Sequence, residues 1–373
     1  MKTPRTLLFL PGIVAIGLAC EPSKGGNQGT TNGNLTTWTD SANSGSTGIA
    51  TFEIDLGKND KGFLLTADSS SYVAVEAVYD PSGNTVLYWE DWYYEEQSLT
   101  EAIFSSHKDL IFNWPVREDD GSLSKGTWTI DVGTLDANYN YKTDVKVDAT
   151  IQTKTDSSFS GGTIKAEIVF VDGLEDDSDV VSATDAAVER WQEVWDGAGL
   201  TLDVSYSDAN IDGDLAFPDE GDSDLVGVSE SGSNSDIAVV IGETIDGSME
   251  YYGVAGGIPG TLVSGDRSTV VISWLANAGG DGSFSDDDIR LFGETLAHEV
   301  GHYTGLFHPV ESDYSYWDAI DDTTECSNSS SCESALGDNL MFPYPVCDYS
   351  SCTPQDELTD GQQGVAHRYT GTL

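Results

Sequence analysis

The sequence predicts two domains of different fold class, an all-β sandwich over residues 49–155 and an α+β domain over residues 160–373. The first range consists of short runs in which apolar and polar residues alternate between turn-forming residues, which is typical of strands in a sandwich. The second range alternates strand-like with helix-like segments, which indicates a sheet with helices packed on it. A chain of 373 residues is long enough for each domain to bury its own core.

Residues 1–20 have the composition of an export signal. Lys2 and Arg5 precede an apolar run that is too short to span a membrane, and small residues follow up to Cys20. The end of this segment resembles the lipobox of bacterial lipoproteins, although Gly17 stands where that pattern usually has leucine. The resemblance implies that Cys20 carries a lipid and anchors the protein in the cell envelope, at the outer membrane or cell surface. An ordinary cleaved signal, which would give a secreted protein, is the alternative.

Residues 21–48 are rich in Gly, Ser, Asn and Thr. The segment has few apolar residues with which to form a core, so we predict a flexible linker. Such a linker would hold the folded part of the chain away from an anchored Cys20.

The predicted sandwich contains the strand-like runs YVAVEAVYD, TVLYWEDWYY, GTWTIDVGTL and VKVDATI. Within it, DPSGNTV and KGTWTIDV weakly resemble the β-sandwich modules that accompany many secreted bacterial proteases. Several aromatic residues could form a sugar-binding platform, but we interpret them as core and strand-face residues, since sandwiches use the same side chains there. These residues are Trp89, Trp92, Tyr93, Tyr94, Trp114 and Trp128.

In the second domain, TIKAEIVFV, TLDVSYS, DIAVVIG and TVVISWL are predicted as strands of one sheet. SATDAAVERWQEVWDGAG is predicted as a capped amphipathic helix that ends at glycine. A further helix is predicted through DDDIRLFGETLAHEVGHYTG, with a cap near Ser285, acidic residues in its first turn and Gly305 at its end.

The chain carries 64 acidic and 16 basic side chains, a formal net charge of -48 that is spread along its length. Nucleic acid and anionic membrane surfaces are therefore excluded as favourable partners. We interpret the acidity as a surface adapted to high salt, where repulsion is screened within about 3 Å at 1 M. Asp-rich calcium loops are the alternative, but DGDLAFPDEGDSD lacks the EF-hand spacing, so calcium is not assigned.

Four further cysteines, Cys326, Cys332, Cys347 and Cys352, lie near the C-terminal end of the chain. In an exported protein this even set predicts two disulfides, with every pairing still open. A zinc site built from the four thiolates is the alternative. The spacing within the pairs and the oxidising compartment argue against it.

The sequence HEVGHYTGLFH, from His298 to His308, lies at the end of the second predicted helix. His298 and His302 are one turn apart on one side of that helix, where they can act as two zinc ligands. Glu299 lies at the rim of the same face and is the candidate general base for a metal-bound water. Gly305 permits a positive φ, and the turn brings His308 back as the third ligand.

This stretch matches HExxHxxGxxH and resembles the metzincin zinc proteases at every fixed position. The resemblance implies a metzincin-type domain with a twisted mixed sheet, an active-site helix, a Zn2+ ion on the three histidines and Glu299 as the catalytic base. It also implies a methionine turn beneath the metal, which GDNLMFPYP supplies as Met341. WDAIDDTTEC, a second cysteine and then NLMFP look most like the pappalysin branch.

The same resemblance implies roles for three further stretches. GVAGGIPG together with TVVISWL would line the upper rim of the cleft, and LTDGQQGVAHRYT would form the closing helix. Some metzincins have a zinc-approaching tyrosine two residues after the methionine; Pro343 occupies that position here, so Tyr344 is not assigned as a ligand. We identify no cysteine switch or other inhibitory prosegment.

These features predict a zinc endopeptidase that hydrolyses protein or peptide substrates and acts as a monomer. An envelope binding or adhesion lipoprotein with an inactive metalloprotease-like domain is the alternative, and a zinc hydrolase of cell-wall peptides is a third possibility. His107 and His367 lack neighbouring histidines in the sequence and are interpreted as structural or surface residues.

Overall fold

The computed structural model describes residues 29–373 apart from 94–95, 104–106, 156–157, 219–220, 232–236, 266 and 348–350. The predicted signal, the lipidation candidate Cys20 and the first part of the predicted linker lie outside the described residues. In the part of the chain that is described, no helix is both long enough and apolar enough to cross a bilayer.

The described residues from 30 to 154 form ten strands and one short α-helix, which we call the N-terminal β-region. The elements are β1 (Thr30–Asn32), β2 (Leu35–Asn43), β3 (Ile49–Leu56), β4 (Gly62–Ser69), β5 (Tyr72–Tyr79), β6 (Thr85–Tyr88), α1 (Trp89–Tyr93), β7 (Gln97–Ser98), β8 (Asp109–Trp114), β9 (Gly126–Leu135) and β10 (Lys146–Lys154). Nine of the strands form two antiparallel sheets, with the orders β1-β2-β10-β4-β8 and β3-β9-β5-β6.

Side chains from both sheets meet in a common core. Along β3 buried and exposed residues alternate, and Phe52 and Ile54 on the inward face are completely buried. The ring of Phe63 on β4 lies 6.3 Å from that of Trp128 on β9, in the other sheet. Trp114 and Trp128 are 2% and 4% exposed, which confirms that these two aromatic residues belong to the core.

The prediction of a flexible linker over residues 21–48 is wrong for its second half. From Leu35 to Asn43 the chain is strand β2, which pairs residue by residue with β10 along its whole length. Leu35 is buried and Trp38 packs against the core, so the segment does have apolar anchors. Its threonines are β-branched and suit a strand with one exposed face, which a count of polar residues does not reveal.

The described residues from 162 to 373 form the C-terminal region. Its elements are β11 (Gly162–Val171), α2 (Ser178–Asp196), β12 (Leu200–Ala209), β13 (Asp214–Leu215), α3 (Ser223–Ser231), β14 (Ile237–Gly242), β15 (Thr244–Ile245), β16 (Gly253–Ala255), β17 (Thr269–Ser273), α4 (Trp274–Asn277), α5 (Asp286–Tyr303), β18 (Trp317–Asp318), α6 (Ser329–Leu336) and α7 (Asp360–Arg368). The main sheet is mixed, with the order β12-β11-β14-β17-β16; its first four strands are parallel and β16 is an antiparallel edge.

Helices α2 and α5 pack against each other beside this sheet. Trp191 and Trp195 of α2 and Phe292 and Leu296 of α5 are completely buried in the same core. The α2 helix starts four residues before the predicted SATD because the Asp177 side chain caps it, accepting hydrogen bonds from two backbone N–H groups of the first turn. The four parallel strands are the four predicted from the sequence.

The two regions share a buried junction. The Lys154 side chain is completely buried, and its ammonium group donates to the carbonyl oxygens of His367, Tyr369 and Thr372 at 2.7, 2.7 and 3.0 Å. These oxygens lie at and beyond the end of α7, where helix carbonyls lack partners within the helix. Strand β7 also pairs with β18, so the C-terminal region is tied to the N-terminal β-region at separate points.

The four predicted cysteines form two disulfides, Cys326–Cys332 and Cys347–Cys352. Both bonds join neighbours in the sequence, with separations of 6 and 5 residues. Disulfides persist in oxidising compartments, so the pairing indicates an exported or extracellular setting.

Candidate metal centre

Helix α5 places the first two histidines. Its N-cap Ser285 accepts a hydrogen bond from the backbone N–H of Asp288, whose side chain accepts one from the Ser285 N–H in return. The helix then buries Leu296 and Val300 completely, while His298 and His302 project from another side. The cap, the apolar face and the histidine pair are therefore arranged as the sequence predicts.

The third histidine returns through a sharp turn at the end of the helix. Gly305 has a φ of +107°, a conformation that side-chain-bearing residues rarely adopt. The backbone N–H of Leu306 donates to the carbonyl of Gly301 at 3.1 Å and closes the turn. His308 follows and packs back against the helix histidines.

The three imidazoles form one compact cluster. The ring centroids of His298 and His302 are 4.7 Å apart, those of His302 and His308 are 4.6 Å apart, and those of His298 and His308 are 5.4 Å apart. One ring nitrogen from each residue lies within 4.8 Å of the others. Among the described residues, no other group of three or more His, Cys, Asp or Glu side chains converges in this way.

The tautomer of each imidazole follows from its other nitrogen. Nδ1 of His298 lies 2.7 Å from the carbonyl oxygen of Leu340, and Nδ1 of His302 lies 2.7 Å from that of Leu306. A carbonyl only accepts, so each Nδ1 is the protonated donor and each Nε2 carries a lone pair. His308 Nδ1 lies 3.0 Å from a Glu311 carboxylate oxygen, to which it donates.

The remaining ring nitrogens converge on one another. Nε2 of His302 and Nε2 of His308 are 3.1 Å apart. Burial lowers the pKa of His298 to about 3, with a further contribution from His308, and burial holds the pKa of His302 well below its usual value, which favours the neutral forms of these two residues. Ring nitrogens converging in this manner fit a cation, and three imidazoles are a ligand set of catalytic zinc sites.

Glu299 lies beside the cluster but does not join it. Its side chain is 8% exposed, and burial raises its pKa to about 8 against the effect of a hydrogen bond from the backbone N–H of Ala255. Strand β16 approaches closely: a Cβ on Gly253 would lie 2.6 Å from Cγ of Glu299. A carboxylate next to a metal position, free of the ligand set, suits proton transfer.

A cleft of about 250 Å³ opens at this site. His298 and Glu299 form one part of its wall, residues 250–253 before and in β16 form another, and residues 343–345 form a third. The edge strand β16 therefore borders the cleft, where the resemblance placed the upper rim.

Met341 lies beneath helix α5. It is completely buried, and a Cβ on Gly301 would lie 2.6 Å from its sulfur. The backbone N–H of Met341 donates to Asn339 Oδ1 at 2.9 Å, which holds the loop whose Leu340 carbonyl orients His298. The Tyr344 hydroxyl lies 2.6 Å from the Tyr314 hydroxyl, so it is engaged there and is not assigned as a metal ligand.

Several supporting groups were not predicted from the sequence. Glu311 accepts from His308, and Glu294 of α5, only 3% exposed, pairs with Arg190 of α2 and with Arg290 at 2.7 and 2.8 Å. A glutamate three residues after the last histidine could have been noticed. The pair between Arg290 and Glu294 lies within α5, four residues apart, whereas the pair between Arg190 and Glu294 joins segments far apart in the chain and could not be predicted.

The remaining histidines lie outside the cluster. Both ring nitrogens of His367 lie against backbone carbonyls, of Phe159 at 3.0 Å and Ala198 at 2.7 Å, so it is a structural residue as predicted. The carbonyl of His107 accepts from the backbone N–H of Val73. In the DGDLAFPDEGDSD segment, Asp222 accepts from two backbone N–H groups at the start of α3, an ordinary capping contact.

No protein-family profile and no curated protein matches this sequence. Among solved structures, the chain is similar to archaemetzincin from Methanopyrus kandleri, at 14% identity and a TM-score of 0.27, over 57% of this chain and 89% of that chain. It is similar to metalloproteinase-II from Bacteroides fragilis at 14% identity and a TM-score of 0.27, over 50% of this chain and 61% of that chain. Likenesses at this level carry no functional conclusion for this chain.

Proposed function

We propose that the protein is a zinc-dependent endopeptidase of metzincin type. The observation that carries the proposal is the convergence of one ring nitrogen from each of three imidazoles, whose Nδ1 atoms are held by other acceptors, next to the buried carboxylate of Glu299. His298, His302 and His308 would hold the ion. Bound there, zinc supplies a Lewis acid that polarises a peptide carbonyl and lowers the pKa of a water to about 7.

Glu299 is the proton carrier of the proposed reaction. In its ionised form it accepts a proton from the water whose oxygen attacks the peptide carbonyl carbon. In its protonated form it gives that proton to the amide nitrogen as the carbon–nitrogen bond breaks, which regenerates the carboxylate. Its position against β16, with the Ala255 N–H on its carboxylate, holds it still between the two transfers.

The edge strand β16 offers a template for an extended peptide. The carbonyl of Tyr252 and the N–H of Gly256 bond to β17, at 3.0 and 2.9 Å. Because bonding alternates along an antiparallel strand, the backbone groups of Gly253 and Ala255 point to the other side, toward the cleft and toward Glu299, to which the Ala255 N–H donates. A substrate strand laid along this edge passes directly over Glu299 and the histidines.

The wider assignment combines these features with the sequence. The mixed sheet with α2 and α5 supports a metzincin-type domain, and the two facing antiparallel sheets before it support a β-sandwich accessory domain. Met341 under Gly301 supports a methionine turn. The pappalysin branch rests on the WDAIDDTTEC and NLMFP stretches alone. A lipid on Cys20 and attachment to the cell envelope rest on the lipobox-like segment alone.

The test is to measure zinc content and casein cleavage for three forms of the chain without residues 1–20. They are the parent, Glu299→Gln, and the control Glu193→Gln, which alters an exposed acid of α2. We expect one zinc per chain in all three, and cleavage that falls by about 10²–10⁴-fold only in Glu299→Gln. Assays are run in molar NaCl because of the net charge of -48.

Each other outcome identifies a different error. Absence of zinc in the parent overturns the metal centre. Zinc without cleavage of casein or of wall peptides in the parent overturns the peptidase and favours a binding protein with an inactive domain. Cleavage of wall peptides alone would assign a cell-wall hydrolase in place of a protease.

A further inference from the structure

A second cavity lies in the N-terminal β-region, and its walls share no residue with the histidine cleft. Its volume is about 690 Å³. Four aromatic side chains line it, those of Trp89, Tyr93, Tyr139 and Tyr141, together with the carboxylate of Glu76. Its three tyrosines, Tyr93, Tyr139 and Tyr141, are 51%, 61% and 48% exposed, so these large aromatic side chains are not packed into the core.

The fold places the Glu76 carboxylate in this cavity by a local irregularity. Val75 pairs with Val132 and Ala77 with Asp131, so Glu76 is an extra residue in β5 without a partner in β9. A bulge of this kind turns a side chain away from its regular direction. Gly133 on β9 leaves the necessary space, since a Cβ there would lie 2.4 Å from Glu76 Oε1.

The tyrosines are held around that carboxylate. The Tyr141 hydroxyl donates to Glu76, and the backbone of Tyr141 is approached so closely by Gly48 that a Cβ there would lie 2.7 Å from Tyr141 Cβ. Tyr139 has a φ of +59° in a turn that Asp136 closes by accepting from the backbone N–H groups of residues 138 and 140. The aromatic wall is thus part of the folded structure.

The electrostatics of the cavity favour a positive ligand. Among the described residues that line it, none is Lys, Arg or His. Burial raises the pKa of Glu76, and the nearby carboxylates of Asp131 and Glu90 raise it further, so the negative form of this group lacks a compensating charge. A neutral sugar would leave that repulsion in place. An organic cation would relieve it and would also be attracted by the aromatic faces.

We propose that this cavity binds an aliphatic ammonium cation, with Glu76 as the counter-ion and Tyr139, Tyr141, Tyr93 and Trp89 as the surrounding aromatic cage. The ligand class comprises free quaternary or primary alkylammonium compounds and the side chain of lysine in a polypeptide. The site is independent of the proposed peptidase reaction, because it shares no residue with the histidine cleft.

The test is calorimetric titration of the whole protein with a matched pair of probes, choline and 3,3-dimethyl-1-butanol, which have the same shape but differ in charge. Nα-acetyl-lysine methylamide and cellobiose complete the set. The variants are Glu76→Gln, and Glu53→Gln as a control that removes an exposed glutamate of β3 in the same sheet. A melting curve for each variant establishes that it is folded.

We expect one choline or lysine-derivative site per chain, no binding of the uncharged isostere, and a loss of affinity of about tenfold or more in Glu76→Gln only. Tighter binding of choline would identify a free ammonium compound as the source, and tighter binding of the lysine derivative a polypeptide. Failure of both cations to bind, equal binding of the isostere, equal binding by folded Glu76→Gln, or binding of cellobiose in place of the cations would each overturn the proposal.

Discussion

Glu299 in the C-terminal region and Glu76 in the N-terminal β-region are both carboxylates with raised pKa values, and each lies at a cavity against a glycine of a neighbouring strand. A Cβ would lie 2.6 Å from Glu299 Cγ if added to Gly253, and 2.4 Å from Glu76 Oε1 if added to Gly133. Their neighbours differ: Glu299 has three imidazoles beside it, whereas Glu76 has tyrosines and other acids. The same local device therefore suits proton transfer in one region and cation binding in the other.

The largest expected effect comes from removing a neighbour that only Glu299 has. His302→Ala deletes one of the three converging nitrogens, so we expect zinc content to fall below about a tenth of an equivalent and cleavage to fall by about 10³-fold or more. The measurement is metal analysis with a casein assay, and His107→Gln is the control. Retention of a full equivalent of zinc by the folded variant would contradict the ligand assignment. Choline binding at the Glu76 cavity is expected to survive.

Lys154 is also a buried charged group, but unlike Glu299 and Glu76 it lies at neither of these two cavities and has a structural role. Replacing it as Lys154→Met leaves three carbonyl oxygens unpaired at the junction of the two regions, and we expect a loss of about 3 kcal/mol or more in the free energy of unfolding. Denaturant titration measures it, with exposed Lys165→Met as the control. A loss no larger than that of the control would show that the junction does not depend on this ammonium group.

Asp318 is a buried carboxyl whose Oδ2 finds no hydrogen-bond partner among the described residues. Burial raises its pKa to about 7 from 3.8, so the stability it contributes is fully present below pH 3.8 and is lost as the pH rises through about 7. The Asp318→Asn variant has no titrating group at this position, so it lacks this loss of stability at high pH. Its melting temperature relative to the parent should rise between pH 4 and 8, by an amount corresponding to a few kcal/mol at most. Parallel profiles for parent and variant, with exposed Asp321→Asn as the control, would refute the effect.

Gly253→Ala tests the space beside Glu299. The added methyl group must displace either the Glu299 side chain or strand β16, and a shifted general base slows the reaction by about tenfold to a hundredfold. Zinc content is expected to stay at one equivalent, since no ligand moves. A normal rate in the casein assay would mean that the position of Glu299 tolerates the shift.

Gly133→Ala is the matching change beside Glu76 and has the smallest expected effect. The methyl group meets the end of a flexible side chain, so the fold is expected to survive and choline affinity to fall by several-fold, on the order of 1 kcal/mol. Cleavage should be unchanged. Comparing the two glycine variants in both assays shows directly whether the two carboxylates act independently.

The sequence predicted the cluster of three histidines because its parts are local. His298, His302 and the cap at Ser285 depend on helix periodicity, and the return of His308 depends on one glycine. The Leu340 carbonyl, which orients His298, lies 42 residues away and leaves no pattern in the sequence.

The same reasoning explains the errors and omissions elsewhere. Strand β2 was not predicted because its threonines make the segment look polar. Its stability comes from pairing with β10, more than a hundred residues later in the chain. The Glu76 cavity could not be predicted either, since the bulge in β5 follows from the register with β9 and not from the residues around Glu76.

The open edge at β16 has a consequence for how copies of this protein meet in solution. An unpaired strand edge accepts any extended chain, including the same edge of a second molecule. With a net charge of -48, two molecules repel each other strongly in dilute buffer, but at about 1 M salt the repulsion extends only about 3 Å. In brine the short length of the edge, three residues from Gly253 to Ala255, limits pairing between two such edges, so a longer edge would favour self-association.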